Sequence, residues 1–367
     1  MLTAAMLVLI LYSGLRFKWA SLDNEVSWIE AQPGIRFGNS GIVYAHTTTP
    51  SAVGPKSANQ AFSIELAVKP GASKDGRFRL LLLLHGGDDG TQLVVGQWRS
   101  WLVIMNGDDY DAKRRRPRIA VKALLPQKER FITITSDGNG TALFLDGRLA
   151  KKSAGLSLGI PNKGRELRLV LGNSVYGRHP WVGDILGLAF FDRALTAPSV
   201  EDHFQQWGRT QSFAWAQSQN AAGLYLFDEG RGAKVVDHAA GGNDLQVPEK
   251  MTILTKEFLA APFTGEEYNL TLSQDMVINT VGFVPMGFLL SALLWHGHCR
   301  NVRKQLLLVL LVCGAVSLTI EIVQAWIPSR SSQMLDLILN TLGAGLGVGL
   351  HSLYQRIFPK PQPRRSL

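Results

Sequence analysis

Three apolar stretches near the C-terminus constrain the fold of this chain more than any other feature. They cover residues 277–295, 305–325 and 334–354, and each is about twenty residues long. At a rise of about 1.5 Å per residue, each stretch can cross a hydrocarbon core of about 30 Å as an α-helix. Since lipid offers the backbone no hydrogen-bond partners, the sequence predicts a helical membrane unit here.

Polar residues interrupt these stretches at positions that an antiparallel arrangement brings to one side of the membrane. Charged side chains near a membrane core cost several kcal/mol unless they are paired, so the clustering indicates a functional site. The predicted head-group-binding residues are Asp275, Asn279, Glu321, Gln324, Arg330, Asp336 and Asn340.

Two interpretations of this polar cluster stay open. In the first, Arg330 pairs with Glu321 or Asp336, and the amide side chains tie the helices together by hydrogen bonds. In the second, the acids and the guanidinium bind a polar head group, since arginine suits phosphate through paired donors. Nothing in the pattern demands catalysis, so no catalytic residue is assigned.

Basic residues in the short loops set the expected orientation of the membrane unit. The loop after the first stretch carries Arg300, Arg303 and Lys304, and the C-terminal tail is also basic. We therefore expect a multi-pass protein of a bacterial plasma (inner) membrane, with a cytoplasmic C-terminus. The polar cluster and the long segment before the first stretch then lie outside.

The N-terminal residues 2–14 are apolar but short for a span. An uncleaved first helix, which makes about four spans, and a cleaved signal peptide are both open. The expected domains are an N-terminal transmembrane helix at 1–18, an outer domain with its flanking segments at 19–250 and a membrane domain at 251–367.

The charge and the cysteine content of the chain limit the binding partners and the disulfides that we expect. Charged residues make up 18% of the chain, below the average of about 25% for soluble proteins. The net charge of +9 sits largely in the expected cytoplasmic loop and tail, which favours contact with anionic membrane lipid. No motif typical of nucleic-acid binding is present. Cys299 and Cys313 both belong to the membrane unit, so no disulfide is expected in the outer domain.

The outer domain has the pattern of an all-β fold. Residues 61–69 alternate between apolar and polar, which is typical of a half-buried strand. Asp137-Gly-Asn-Gly140 predicts a tight hairpin, and Asp146-Gly147 predicts another. Many short strands with turn signals between them indicate a sandwich or jelly roll. Further strands are expected at 80–84, 91–96, 100–105, 118–123, 130–136, 141–145, 166–171 and 184–191, followed by a helix capped by Thr196.

Several segments of this domain resemble the concanavalin A-like, laminin G-like jelly roll. They are Phe62-Ser-Ile-Glu-Leu-Ala-Val-Lys-Pro70, Thr141-Ala-Leu-Phe-Leu-Asp-Gly-Arg148, residues 181–196 and residues 224–245. The last piece normally stands at the front of such a domain, so its position here departs from the usual order. The resemblance implies binding of sugars or proteins, and sometimes of calcium. The Glu-x-Asp-x-x-Glu string of glycosidases on this fold is missing, so hydrolysis by this domain is not expected.

The candidate ligand contacts in the outer domain are of two kinds. Asp88 and Asp89 in a glycine-rich turn are candidate calcium ligands, with simple turn chemistry as the alternative. Aromatic side chains can stack on sugar rings, although core packing is expected to account for most of them. The candidates for carbohydrate binding are Trp98, Trp101, Tyr110, Tyr176 and Trp181.

The membrane part resembles the VanZ-like family. The matching pattern is Asp275-x-x-x-Asn279-x-x-Gly-Phe-x-Pro285-x-Gly287-Phe, then Glu321-x-x-Gln324, Pro328-x-Arg330, and Asp336-x-x-x-Asn340-Thr-x-Gly343-x-x-x-Gly347. The family is named for a role in resistance to the glycopeptide teicoplanin, and the resemblance does not settle its activity. The inserted jelly roll is the departure in this chain.

Together these patterns predict a mixed fold, an all-β extracytoplasmic sandwich plus an α-helical transmembrane bundle. The expected function is carbohydrate binding by the sandwich and binding or processing of a lipid-linked glycan, or a similar head group, by the helices. The alternatives are a membrane-anchored adhesin or scaffold with inert spans, and a glycopeptide-resistance type of envelope protein. Gly343, Gly345, Gly347 and Gly349 indicate close helix packing, within one chain or in a homo-oligomer.

Overall fold

The computed structural model describes residues 2–15, 23–45, 61–72, 76–161, 167–239, 241–254, 258–259, 270–297, 299–326 and 332–358. The chain divides into two compact units. Residues 21–255 form a β-sandwich, and residues 1–20 together with 256–367 form a helical unit. The predicted mixed fold, an all-β sandwich plus a bundle of apolar helices, is confirmed.

One sheet of the sandwich has eight strands. They are β1 (Val26–Trp28), β2 (Ile35–Phe37), β4 (Phe62–Pro70), β9 (Arg130–Asp137), β10 (Gly140–Leu145), β11 (Arg148–Ser153), β13 (Gly183–Phe191) and β14 (Gly223–Tyr225). The strand order is β1-β2-β13-β4-β9-β10-β11, and β14 also pairs with β13. We call this the first sheet.

The second sheet also has eight strands. They are β3 (Val43–Tyr44), β5 (Phe78–His85), β6 (Leu93–Trp98), β7 (Trp101–Asn106), β8 (Arg118–Lys122), β12 (Arg168–Leu171), β15 (Lys234–Val235) and β16 (Leu245–Gln246). Their order is β15-β16-β3-β12-β5-β6-β7-β8. All of the strand pairs in both sheets are antiparallel, as the many short strands and tight turns predict.

Both predicted hairpins form. Asp137 ends β9 and pairs with Gly140 at the start of β10. Asp146 and Gly147 connect β10 to β11 with φ angles of 51° and 78°. Two successive residues with positive φ are what a type I′ turn requires, and glycine meets that requirement without steric cost.

The displaced segment at 224–245 adds strands to both sheets. β14 pairs with β13 of the first sheet, and β16 pairs with β3 of the second sheet. An isolated bridge between Asp23 and Lys250 joins the two ends of the domain. The segment therefore completes the sandwich from the C-terminal side of the domain, and in the second sheet it lies beside β3 from the N-terminal side.

Apolar side chains form three layers in the sandwich. The main core lies between the sheets and includes Phe37, Phe190 and Tyr225. A second layer lies between the first sheet and two helices, α2 (Ala197–Thr210) and α3 (Trp215–Ser218). The Thr196 side chain accepts a hydrogen bond from the backbone N–H of Ser199, which confirms the predicted cap of α2. A third layer lies on the outer face of the second sheet.

The helical unit contains α1 (Leu2–Leu15), α4 (Leu270–His296), α5 (Val302–Trp326) and α6 (Met334–Ile357). Segments of α4, α5 and α6 have the length and hydropathy of membrane spans, which confirms the three predicted spans. The helix α1 is shorter, and Ile10 packs with buried residues of the other helices. The fourth span and the retention of α1 stay predictions.

Candidate functional site

Six of the seven predicted head-group residues lie at one end of the helical unit. They come from the first half of α4, the last two turns of α5 and the first two turns of α6. Those whose side chains the structure describes are Asn279, Glu321, Gln324, Asp336 and Asn340. We call these five residues the polar cluster. Arg330 and the side chain of Asp275 lie outside the described residues.

Two hydrogen bonds in the polar cluster connect different helices. The Asn279 Nδ2 group donates to Asp336 Oδ1 at 2.6 Å, which ties α4 to α6. The Asn340 Nδ2 group donates to the buried Ser317 Oγ atom at 2.9 Å, which ties α6 to α5. These are the contacts that the packing interpretation predicts.

Glu321 and Gln324 bring polar groups into the interior of the unit. Their exposed fractions are 1% and 4%. One carboxylate oxygen of Glu321 accepts the backbone N–H of Gln333 at 2.8 Å, directly before α6 begins. A buried carboxylate is costly to retain. Its presence therefore needs more explanation than a neutral amide would.

Asn340 has hydrogen-bonding capacity that packing does not use. The residue is 6% exposed, and its Oδ1 atom is buried with no hydrogen-bond partner among the described residues. An unsatisfied buried acceptor costs about 1–3 kcal/mol. A hydroxyl or amine of a bound molecule would satisfy it, so the geometry leaves one position for a ligand donor.

A second buried polar group lies at the opposite end of the helices. Ser291 Oγ lies 2.8 Å from Gln305 Oε1 and 2.8 Å from His351 Nδ1. All three residues are almost fully buried, and each comes from a different helix. The sequence did not predict this group, because single polar residues inside apolar stretches carry no local pattern that pairs them.

Trp98 and Trp101 form an exposed aromatic pair on the sandwich. They lie directly opposite each other at the turn between β6 and β7, and their exposed fractions are 41% and 39%. Trp98 Nε1 donates to the Gly76 carbonyl at 2.9 Å, and the Arg99 guanidinium lies 5.1 Å from the Trp98 ring centroid. The two indoles thus combine fixed positions with exposed ring surface, which is what stacking on a sugar ring requires.

Tyr110 is half-buried on the outer face of the second sheet. Its ring lies 5.0 Å from Phe78 and 4.6 Å from His179, and its hydroxyl accepts from Gln92 Nε2 at 2.6 Å. Burial lowers the pKa of His179, which favours a neutral imidazole beside the tyrosine ring. Most of the Tyr110 ring is in contact with neighbouring side chains, so it has less exposed surface for stacking on a sugar than Trp98 and Trp101 have.

Tyr176 contacts Asp89, one of the two candidate calcium ligands. Tyr176 Oη donates to Asp89 Oδ1 at 3.5 Å, and His85 Nε2 lies 3.0 Å from the same oxygen. Asp88 accepts the backbone N–H of Gly90 at 2.9 Å, which is ordinary turn chemistry. Calcium binding by Asp88 and Asp89 stays a prediction.

Trp181 is a core residue rather than a sugar-binding one. It is fully buried, packs edge-on against Phe37 and donates from Nε1 to Gln97 Oε1 at 2.7 Å. An indole without exposed surface cannot stack on a sugar, so the prediction of carbohydrate contact is wrong for Trp181. Its indole N–H finds a partner inside the protein instead, as buried tryptophans generally do.

A buried acid–histidine pair lies under α2. Glu65 on β4 accepts from Thr133 Oγ1 at 2.9 Å, and its other oxygen lies 3.1 Å from His203 Nδ1. The His203 ring packs on Trp215 and Phe191. Burial raises the pKa of Glu65, although the hydrogen bond with His203 opposes the shift. With no exposed surface, the pair has a structural rather than a binding role.

Family comparisons match separate parts of the chain. Residues 39–201 match the concanavalin A-like lectin/glucanases superfamily, and residues 234–355 match the VanZ/LLP1 family. Both resemblances found in the sequence are confirmed. The chain is therefore a membrane protein with a VanZ-like domain and a laminin G-like sandwich. No curated protein matches its sequence significantly.

Solved structures are similar to the sandwich at low identity. A Bacteroides ovatus protein described as carbohydrate binding has 13% identity and a TM-score of 0.42, covering 64% of this chain and 62% of its own. The botulinum neurotoxin type G receptor binding domain has 17% identity, coverages of 52% and 45%, and a TM-score of 0.37. Trypanosoma rangeli sialidase has 14% identity and a TM-score of 0.34, covering 47% of this chain and 27% of its own. This chain spans less than two thirds of each of these structures.

Proposed function

We propose that this chain is an envelope membrane protein whose sandwich binds carbohydrate and whose helices bind the head group of a lipid-linked glycan. The match to a lectin-like superfamily supports the first part. The second part is supported by the polar cluster. The observation that carries it is the buried Asn340 oxygen with no partner among the described residues, at the same end of the helices as the buried Glu321 and Gln324.

The chemistry of the polar cluster favours a ligand rich in hydroxyl or amine donors. The buried Glu321 carboxylate and Asn340 amide place acceptor oxygens in a low-dielectric interior, where hydrogen bonds to charged groups are strong, and Asp336 adds a half-buried carboxylate. Sugars supply several hydroxyl donors, and a membrane-anchored sugar reaches this depth without leaving its lipid. A guanidinium such as that of Arg330, which was predicted as a head-group residue, suits the phosphate that joins sugar to lipid.

The basic loop and tail support an orientation in which the polar cluster lies on the outer side of the membrane. A plasma membrane with the sandwich outside and the C-terminus inside is the localisation that we propose. The sandwich and the polar cluster then face the same compartment, so one envelope glycan is accessible to both.

Removing the charge of Glu321 tests the head-group site. Glu321→Gln keeps an oxygen for the Gln333 N–H, so the fold is expected to persist. Polyprenyl-linked glycan that co-purifies with the detergent-extracted chain is expected to fall at least tenfold, which corresponds to about 1.4 kcal/mol of binding. Mass spectrometry of the extracted lipids, normalised to folded protein, measures the effect. Asn340→Leu is expected to give the same loss.

Gln305→Leu is the matched control for this experiment. It removes a buried polar side chain from the same helix as Glu321, at the end where Ser291 and His351 lie. Its lipid content is expected to equal that of the wild type. Identical lipid profiles in all four proteins would reject the head-group site and favour the alternative, a membrane-anchored scaffold or adhesin with inert spans.

Removing the exposed tryptophans tests the carbohydrate surface. Trp98→Ala and Trp101→Ala are each expected to weaken binding of the full-length protein to its best ligands on an oligosaccharide array by at least tenfold. The reason is the loss of an exposed ring on which a sugar packs. Leu149→Ala on β11 of the first sheet is the control, since it also truncates an exposed apolar side chain. Undiminished binding in both tryptophan variants would exclude this surface.

A further inference from the structure

A group of metal-ligating side chains lies in the loops around β14 and β15 of the sandwich. It consists of Asp228, Glu229 and His238, whose ligand atoms all lie within 4.8 Å of one another. Asp228 and Glu229 follow β14, and His238 follows β15. Two oxygen ligands and one imidazole nitrogen converge there, which no expectation from the sequence included.

Two atoms of the group lack the partners that buried polar atoms normally have. Glu229 Oε1 accepts the backbone N–H of Val236 at 2.6 Å, but Glu229 Oε2 has no hydrogen-bond partner in the described part of the chain. His238 Nε2 also has none there, and each of these two atoms exposes less than 1 Å². Such atoms are rare in folded proteins, and a bound ion is one physical reason for them.

The distances in the group fit a metal better than a hydrogen bond. His238 Nε2 lies 3.6 Å from Asp228 Oδ1, beyond hydrogen-bonding distance. Two ligand atoms bound to one tetrahedral Zn²⁺ ion stand about 3.4 Å apart, given metal–ligand distances of about 2.1 Å. The Asp228 side chain is 46% exposed, so it is able to rotate the short distance that full coordination needs.

The backbone around the group is held firmly in place. The His238 N–H donates to the Leu224 carbonyl at 2.8 Å. The neighbouring Asp237 carboxylate accepts the backbone N–H groups of Leu224 and Asn243 at 2.9 and 3.0 Å. The backbone that carries the His238 imidazole therefore starts from a fixed position, which reduces the ordering that ion binding has to bring about.

We propose that Asp228, Glu229 and His238 bind a divalent transition-metal ion of the Zn²⁺ type. The imidazole ligand argues against Ca²⁺, which takes oxygen ligands, and the three side chains leave a fourth position for water. The ion satisfies both unpartnered atoms and clamps the loop after β14 to the loop after β15. It thereby fastens the C-terminal strands of the sandwich, which carry the chain out of this domain.

Zinc titration of the chelator-treated, detergent-solubilised full chain tests the proposal. The wild type is expected to bind one equivalent of Zn²⁺ by calorimetry and by elemental analysis after dialysis, and to show the visible absorption bands of a tetrahedral site with Co²⁺. Zn²⁺ is also expected to raise the thermal midpoint of unfolding. Ca²⁺ is expected to do none of this.

Two variants locate the ion, and a third controls for adventitious binding. Glu229→Gln keeps an oxygen for the Val236 N–H but loses the charge, and it is expected to weaken Zn²⁺ binding at least tenfold. His238→Ala is expected to abolish both the binding and the Co²⁺ bands. His296→Ala, which removes the exposed histidine at the end of α4, is expected to change nothing. No binding by the wild type, or binding that survives Glu229→Gln or disappears in His296→Ala, would overturn the proposal.

Discussion

Gly347→Ala is expected to destabilise the helical unit by about 1–3 kcal/mol, and Gly347→Val by more, because overpacking displaces the neighbouring backbone. A Cβ atom at this position would lie 2.2 Å from the Val284 carbonyl oxygen and 2.6 Å from the Phe288 nitrogen of α4. Neither atom belongs to a flexible side chain, so α4 and α6 must separate. A Cβ atom added at Gly343 would likewise lie too close to α4, at 2.0 Å from the Thr280 carbonyl oxygen.

The same helix supplies the control for this prediction. A Cβ at Gly349 would meet nothing within 4 Å, and one at Gly345 would make only ordinary contacts. Gly349→Ala is therefore expected to leave stability unchanged or slightly higher, since alanine favours the helix. Size-exclusion chromatography of heated, detergent-solubilised protein measures the midpoint, with a fall of about 5 °C or more expected for Gly347→Ala alone. Equal midpoints for Gly347→Ala and Gly349→Ala would contradict the packing.

Glu65→Ala is expected to destabilise the sandwich by about 3–5 kcal/mol, as when one partner of a buried pair is removed. The substitution leaves the His203 imidazole and the Thr133 hydroxyl without their partner. Hydrogen exchange of the full-length protein measures this loss of stability, and faster exchange is expected in peptides from β4, β9 and α2. Glu201→Ala, on the exposed surface of the helix that carries His203, is expected to exchange like the wild type. Equal exchange in both variants would show that the pair contributes nothing.

Glu65→Gln separates the charge from the hydrogen bonds. The amide oxygen still accepts from Thr133, and the amide nitrogen donates to His203, so little stability is lost. Because burial raises the pKa of Glu65, the folded state holds the carboxyl proton more tightly than the unfolded state does. The wild type then loses stability as pH rises from about 4.3, the unfolded value, through the higher folded pKa. Across this pH window the stability of the glutamine variant is expected to rise relative to that of the wild type. A stability difference that does not change with pH would contradict a raised pKa of Glu65.

Local patterns predicted the architecture well. Alternation at 61–69 predicted β4, and Asp146-Gly147 predicted the turn before β11, because period-two burial and positive φ are properties of neighbouring residues. The short strands β1, β2 and β3 gave no such signal, since two or three residues show no periodicity. They are strands only because other strands offer them hydrogen-bond partners: β13 pairs with β2, β2 pairs with β1, and β12 pairs with β3.

The candidate sites were less accessible from the sequence. Residue type alone makes Trp98 and Trp181 equal candidates for carbohydrate binding. In the structure Trp98 is exposed at a turn, whereas Trp181 is buried against Phe37 and Gln97. The polar cluster was predicted because membrane spans make every charged residue conspicuous. In the sandwich, polar residues are common, so Asp228, Glu229 and His238 did not stand out.

The sequence by itself determined the two-part architecture of this protein, since hydropathy over twenty residues and alternation over eight act within single elements. It also determined that the ends of α5 and α6 carry polar groups. Only the tertiary structure decided which glycines of α6 contact α4, that the Asn340 oxygen lacks a partner among the described residues, and that His238 lies beside two carboxylates. Contacts of this kind join side chains from different elements, so they depend on how the elements pack, and no local pattern records that.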